Sequence, residues 1–402
     1  MAKLLSRCVC LVALSVIAGL VMRLGVASTS AATLRTPGAR AVGQRLSELK
    51  GSDTAGDDFF GDSVAISGTT AVVGAEGHAH DAGRAYLFGR NQAGWSQVGE
   101  VEGGDTVAGD DFGWSVAIAG DTIVVGAPSR AKDAGRAYVF GETAAGWAQV
   151  AVLKGTGTVV NDGFGASVAV SGMTAVVGAS GHGDYAGQAY VFTDTAGDWH
   201  ETGELQGSRT VVGDEFGWSV AVSGMTAVVG AQGHADDGGL AYVFEKTGRY
   251  WTPTAELEGA DTVAGDFFGD SVAISGTTAV IGAWGHSRDA GRVYVFEKAK
   301  GHWRQVAELK GSDTVAGDFF GDSVAVSGTT VVAGAQNHAS DAGRAYVFTK
   351  TATGWKQVEE VDGPDTVASD WLGYAVALSG ATAVVGAPNH ASDAGRAYVF
   401  AA

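Results

Sequence analysis

A Phe-Gly pair recurs every 52 residues, at Phe60-Gly61, Phe112-Gly113, Phe164-Gly165, Phe216-Gly217, Phe268-Gly269 and Phe320-Gly321, with Leu372-Gly373 as an altered seventh copy. No insertion or deletion breaks the step. Seven such periods fill the chain from about residue 39 to residue 402. A fixed period of this length belongs to a solenoid, a propeller or an array, and it rules out a fold with one central, non-repeating core.

Each copy divides into four short apolar runs. In the first they are Ser63-Val-Ala-Ile66, Thr70-Ala-Val-Val73, Ala85-Tyr-Leu-Phe88 and residues 95–101. Runs of this length, rich in Val, Tyr and Phe and bounded by Gly, Asp and Ser, read as β-strands. The second is apolar almost throughout, as a strand covered on both faces is. Ser67-Gly68 predicts a tight turn between the first two strands, with glycine supplying positive φ. The connections after strands two and four are longer. Because strands alternate in direction, those two connections share one face.

Four strands per repeat and seven repeats predict an all-β, seven-bladed β-propeller with four antiparallel strands per blade. The chain ends at Phe400-Ala-Ala402, after a third strand, so the last blade lacks its fourth. Residues 45–51 (RLSELKG) match residues 305–311 (QVAELKG) and predict the missing strand, closing the ring from the N-terminal end. An open solenoid would need polar caps instead.

Phe-Gly followed about fourteen residues later by Gly-Ala, as at Gly74-Ala75, Gly126-Ala127 and Gly386-Ala387, resembles the FG-GAP repeat of integrin α-subunit heads and of many bacterial exported proteins. All seven copies carry the resemblance, which implies a propeller and leaves the activity open. Calcium-binding members of that family carry an Asp-x-Asp-x-Asp-Gly loop between the first and second strands. Here that place holds Ser67-Gly-Thr-Thr70, Ala119-Gly-Asp-Thr122 or Ser171-Gly-Met-Thr174. Calcium takes six to eight oxygens, several from carboxylates. No metal and no cofactor is expected.

The N-terminal segment is of another kind. Lys3 and Arg7 precede an apolar run over residues 9–22, and small residues follow up to Ala32. This is the layout of a secretory signal peptide over residues 1–32, followed by a linker over 33–41 and the propeller over 42–402. The apolar run is short for a membrane span, so no membrane insertion is expected once the signal is cleaved. The chain's two cysteines, Cys8 and Cys10, lie in this segment, so the exported part is expected to hold no disulfide. The whole chain carries a net charge of −18, and loss of the basic signal makes the remainder more acidic still. Nucleic acid is excluded as a partner on these grounds, and neutral or cationic partners are favoured. A secreted or cell-surface monomer is expected.

Repeats within one chain separate scaffold from site. Positions that recur in every copy serve the shared architecture, and positions that vary are free to serve a ligand. Asp58, Asp110, Asp162, Asp214, Asp266, Asp318 and Asp370 recur two residues before each Phe-Gly, and Thr54 has a counterpart in every copy. Both are expected to bond loop backbone N–H groups. His78 recurs in six copies, with Arg130 in the other; Asp81 follows three residues on, replaced by Tyr185 in one copy. A His–Asp hydrogen bond pinning this loop is expected. The fourth-strand tryptophans, among them Trp95 and Trp303, are expected to pack against a neighbouring blade.

The varying positions flank the longer connections. Directly after Phe-Gly stand Asp62, Trp114, Ala166, Trp218, Asp270, Asp322 and Tyr374; Trp371 precedes Leu372, and Trp284 follows a Gly-Ala. Aromatics beside carboxylates suit sugar stacking with hydroxyl hydrogen bonds, or a basic protein partner. The expected ligand-binding residues are Asp62, Trp114, Trp218, Asp270, Asp322, Tyr374, Trp284 and Trp371, on a non-catalytic binding or adhesion propeller that recognises an extracellular glycan or protein. Tyr185, Gln188, Arg209, His200 and Leu240 each depart from the repeat once, and they form no Ser-His-Asp, Cys-His or metal cluster. The alternatives are an enzyme acting on extracellular polysaccharide, since glycosidase carboxylates have no fixed spacing, and a structural surface-array component.

Overall fold

The computed structural model describes residues 41–402; the expected signal peptide over 1–32 and all but the last residue of the expected linker lie outside the described residues. Blade one consists of Val64–Ser67, Thr70–Ala75, Arg84–Asn91 and Gly94–Val101, hydrogen-bonded in that order from the pore outward. Five further blades repeat this antiparallel meander. The seventh sheet joins Val376–Ser379, Thr382–Ala387 and Arg396–Ala401 to the N-terminal Arg45–Leu49. Glu48 pairs with Tyr398 and Leu49 with Ala397, so the N-terminal strand is the outer strand of the last blade. The seven-bladed, N-terminally closed propeller is therefore the observed fold.

The core lies between blades. Phe60 sits with its ring 5.5 Å from Tyr86 and 5.9 Å from Phe88, both edge-on, in a cluster that also takes Leu49, Val384 and Val399 from blade seven. The same Phe–Tyr–Phe unit recurs around the ring, with Leu372 in the last copy. Fully burying one such side chain contributes about 1.5–3 kcal/mol, so each interface is substantial. Trp95 and Trp303 are partly buried against these inter-blade clusters, as expected. Two glycines are fixed by close approach. A Cβ at Gly74 would stand 2.0 Å from the Gly113 carbonyl, and one at Gly83 would stand 1.9 Å from that of Phe112. No side chain fits where adjacent blades touch through backbone.

The connection after the second strand holds a feature that the spacing does not reveal. Ala79, His80 and Asp81 all take left-handed dihedrals, with φ of 55°, 61° and 62°. This conformation costs a non-glycine residue about 1–2 kcal/mol. The cost is offset by the next blade, whose Gly109, Asp111 and Phe112 N–H groups donate to the carbonyls of His80, Asp81 and Ala82. At the closure Phe59 N–H donates in the same way to Asp393. Asp81 thus recurs because Asp tolerates this backbone, and the carboxylate partner of His78 is another residue.

That partner is Asp58. Its Oδ2 lies 2.9 Å from His78 Nδ1 and also accepts the Ala55 N–H. The expected His–Asp bond is present in six blades, but it joins two loops instead of bridging His78 to Asp81. In the remaining blade Arg130 Nε stands 3.3 Å from Asp110. The threonines also differ from expectation: Thr54 Oγ1 donates to the Gly51 carbonyl instead of accepting an N–H.

Candidate functional site

The position after Phe-Gly opens each innermost strand, and seven innermost strands surround the axis. Asp62, Trp114, Ala166, Trp218, Asp270, Asp322 and Tyr374 therefore converge, and together they line one funnel of about 270 Å³ at the pore mouth. The face is the one that carries the longer connections. Six of the eight residues singled out in the sequence are in this lining.

Trp284 and Trp371 are not in it. Trp284 stacks on Phe267 at 4.4 Å with the rings 7° from parallel, and its other side meets Phe319 at 4.8 Å. Trp371 stacks on Tyr374 at 6.0 Å. Both back the wall of the funnel. Trp114 and Trp218 keep 44% and 42% of their surface exposed, which is high for tryptophan in a folded core and leaves their faces open to the pore.

The carboxyls are poised differently from ordinary surface acids. Each retains some surface toward the pore water but is surrounded by protein atoms. Burial raises Asp62 to about 7, against the lowering effect of polar contacts with Glu76 and Tyr374. Burial, then the charge of Asp62, raises Asp322 to about 7. Burial and the neighbouring Asp322 hold Asp270 well above the usual carboxylate range. Trp218 Nε1 donates to Asp270 at 3.0 Å, and Gln336 Nε2 to Asp322 at 2.8 Å. The charge of Asp62, then burial, pushes the Tyr374 hydroxyl up.

Glu76 was legible only as a varying residue after Gly-Ala. It stands against Asp62, its carboxyl rises to about 9 through burial and that charge, and its Oε2 is buried without a hydrogen-bond partner. Near neutral pH such carboxyls act as both hydrogen-bond donors and acceptors. Beside two open indole faces, they suit a polyhydroxylated group.

A family model described as the FG-GAP repeat matches residues 45–88, 95–140, 147–192, 199–244, 251–296, 303–348 and 355–400. The chain belongs to the FG-GAP repeat family. Within this FG-GAP propeller the matched segments each begin on an outer strand and end on the third strand of the following blade, so each one spans a blade interface. A comparison with curated proteins returns no match. Among solved structures, a chain of the crystal structure of a mitotic checkpoint complex is similar at 14% identity and a TM-score of 0.56, covering 95% of this chain and 99% of that one. Sqt1 of Saccharomyces cerevisiae is similar at 13% identity and a TM-score of 0.48, covering 87% and 84%. The first likeness shows the propeller fold alone.

The calcium site of some FG-GAP members does not fit the residues present. The turn between the first two strands has Gly68 at φ 60° and Thr69 as its two central residues. Among its counterparts only Asp121 offers a carboxylate. One carboxylate on a two-residue turn falls far short of a calcium cage.

Proposed function

We propose that this FG-GAP propeller is an exported, non-catalytic binding module that takes the end of a glycan in the pore-mouth funnel. The observation that carries the reading is the convergence of the seven varying positions in one cavity, inside a scaffold that otherwise repeats. Trp114 and Trp218 supply sugar-stacking faces, and Asp62, Asp270 and Asp322 supply hydrogen bonds to hydroxyls. At about 270 Å³ the funnel is near the lower end of ligand pockets, so it takes one terminal group and not an extended chain. Export rests on the N-terminal segment, and recovery of a secreted chain beginning at Thr33 tests it.

A glycan array probed with the intact chain and with Trp114→Ala tests the binding. Retention of a glycan by the first and its loss by the second is the expected result. Hydrolysis of the retained glycan would instead make the protein an enzyme, with the raised funnel carboxyls as its candidate acids.

A further inference from the structure

One hydrogen bond repeats around the ring and then fails twice. In five blades a buried tyrosine hydroxyl donates to an aspartate Oδ1: Tyr86 to Asp53, Tyr138 to Asp105, Tyr294 to Asp261, Tyr346 to Asp313 and Tyr398 to Asp365, all at 2.7–2.8 Å. The second oxygen of that aspartate faces a nitrogen. Nε2 of His78, His286, His338 and His390 stands 3.5–3.8 Å away, and the Arg130 guanidinium stands 3.1 Å from Asp105. Each of these five blades thus builds a small carboxylate socket and fills it with its own side chain.

Blades three and four have the socket without the carboxylate. Gly157 and Arg209 stand at the aspartate position. The hydroxyls of Tyr190 and Tyr242, on fully buried side chains, have no hydrogen-bond partner. A buried hydroxyl left in this state is costly, and it calls for an occupant.

Blade four differs from blade three in carrying a cation at the aspartate position. Arg209 reverses the charge of the residue it replaces. A cavity of about 110 Å³ opens beside it, lined among others by Arg209, His234, Gly238, Leu240, Glu258 and Thr262. His234 keeps its Nδ1 on Asp214 at 2.8 Å, so its ring is held as in the filled blades, with Nε2 directed away from that bond. Leu240 replaces the arginine that follows the left-handed turn in five other blades, so Arg209 is the local guanidinium. Burial, then the Glu256 and Asp214 carboxylates, raises the Tyr242 hydroxyl to about 12, while the nearby backbone N–H of Arg209 and its charge oppose them. In blade three Gly157 brings no cation, and burial, then the Glu204, Asp162 and Glu201 carboxylates, raises Tyr190.

We propose that blade four carries a carboxylate-binding site, in which a ligand's carboxylate takes the place of the missing aspartate, accepting the Tyr242 hydroxyl and the Arg209 guanidinium. The internal competitor is Glu256, which holds Arg209 at 3.2 Å. Sharing has a precedent in the same ring: Arg84 bonds Asp53 at 3.1 Å and Glu100 at 2.9 Å together. Glu258 borders the cavity, so an entering carboxylate meets one like charge there that Arg209 must outweigh.

The test uses the full exported chain and follows thermal unfolding and calorimetric titration with acetate, against chloride at equal ionic strength. Acetate is expected to bind and to raise the unfolding midpoint. Arg209→Asp rebuilds the internal carboxylate; it is expected to raise the midpoint without ligand and to weaken acetate binding at least tenfold. Tyr242→Phe removes the orphan hydroxyl and is expected to fold normally with the acetate response largely lost. Tetragalacturonate and tetraglutamate, run beside acetate, distinguish a glycan from a peptide source, and the Arg209-dependent one of the two is the ligand class. Trp114→Ala is expected to leave all of these responses intact, which keeps this site separate from the pore. An acetate response that survives both Arg209→Asp and Tyr242→Phe, or no response to any of the three carboxylates, would overturn the proposal.

Discussion

Asp58 Oδ2 lies 2.9 Å from His78 Nδ1 and holds the Ala55 N–H at the same distance, so one buried carboxylate ties the loop that enters a blade to the loop that crosses it. Asp58 is 7% exposed. Removing it leaves two donors in a part-buried region without their acceptor. Asp58→Ala is expected to cost about 2–4 kcal/mol in denaturant unfolding. Asp81→Ala, which touches only a side chain on the left-handed turn, is expected to cost about 1 kcal/mol through backbone preference alone. Equal costs would mean that the loops are held by the turn and not by the carboxylate.

Closure depends on residues far apart in sequence. Leu49 is 1% exposed between blades seven and one, and its strand covers the edge of Arg396–Ala401. Deleting residues 33–51 uncovers that edge, which is a template for pairing with another chain. The shortened protein is expected to melt well below the intact one and to aggregate on heating. Scanning calorimetry with light scattering reads both.

The pore carboxyls make stability depend on pH in a defined direction. Asp62 and Asp322 are raised to about 7 in the folded chain, against ordinary values near 4 when unfolded. Between these values the native state binds more protons than the unfolded state, so these groups' contribution is fullest below about 4 and is lost as pH rises through 7. Asp62→Asn and Asp322→Asn are therefore expected to be more stable than the parent at pH 8, with the gain shrinking toward pH 5. Midpoints measured across that range check it, and a gain that grows toward acid would reverse the assignment.

The pore and inter-blade tryptophans are expected to separate binding from folding. Trp114 and Trp218 are more than two-fifths exposed, and truncating either is expected to change stability by less than about 1 kcal/mol. Trp303 packs in the cluster between blades four and five, and Trp303→Ala is expected to cost about 3 kcal/mol. Glycan affinity is expected to fall at least tenfold in the first two, as truncation of an anchor aromatic requires. Melting curves paired with affinity for the three variants decide whether the pore indoles are surface or core.

Much of this was legible in the sequence for a physical reason. A 52-residue repeat without insertions forces every blade to be the same object, so strand count, meander order and closure by residues 45–51 follow from spacing and pattern alone. Comparing copies also separated Asp58 and His78 as scaffold from Asp62, Trp114 and Tyr374 as varying positions. Pairings across loops lay beyond that reading. That His78 meets Asp58 and not Asp81 depends on a left-handed turn of non-glycine residues, which local propensity disfavours and only carbonyl contacts to the next blade stabilise. That Trp114 opens on the pore while Trp284 is stacked behind it depends on ring curvature, which brings residues 52 apart to one axis. The raised carboxyls depend on the same convergence, because Asp62, Asp270 and Asp322 are far apart in sequence and become neighbours only where the blades share one centre.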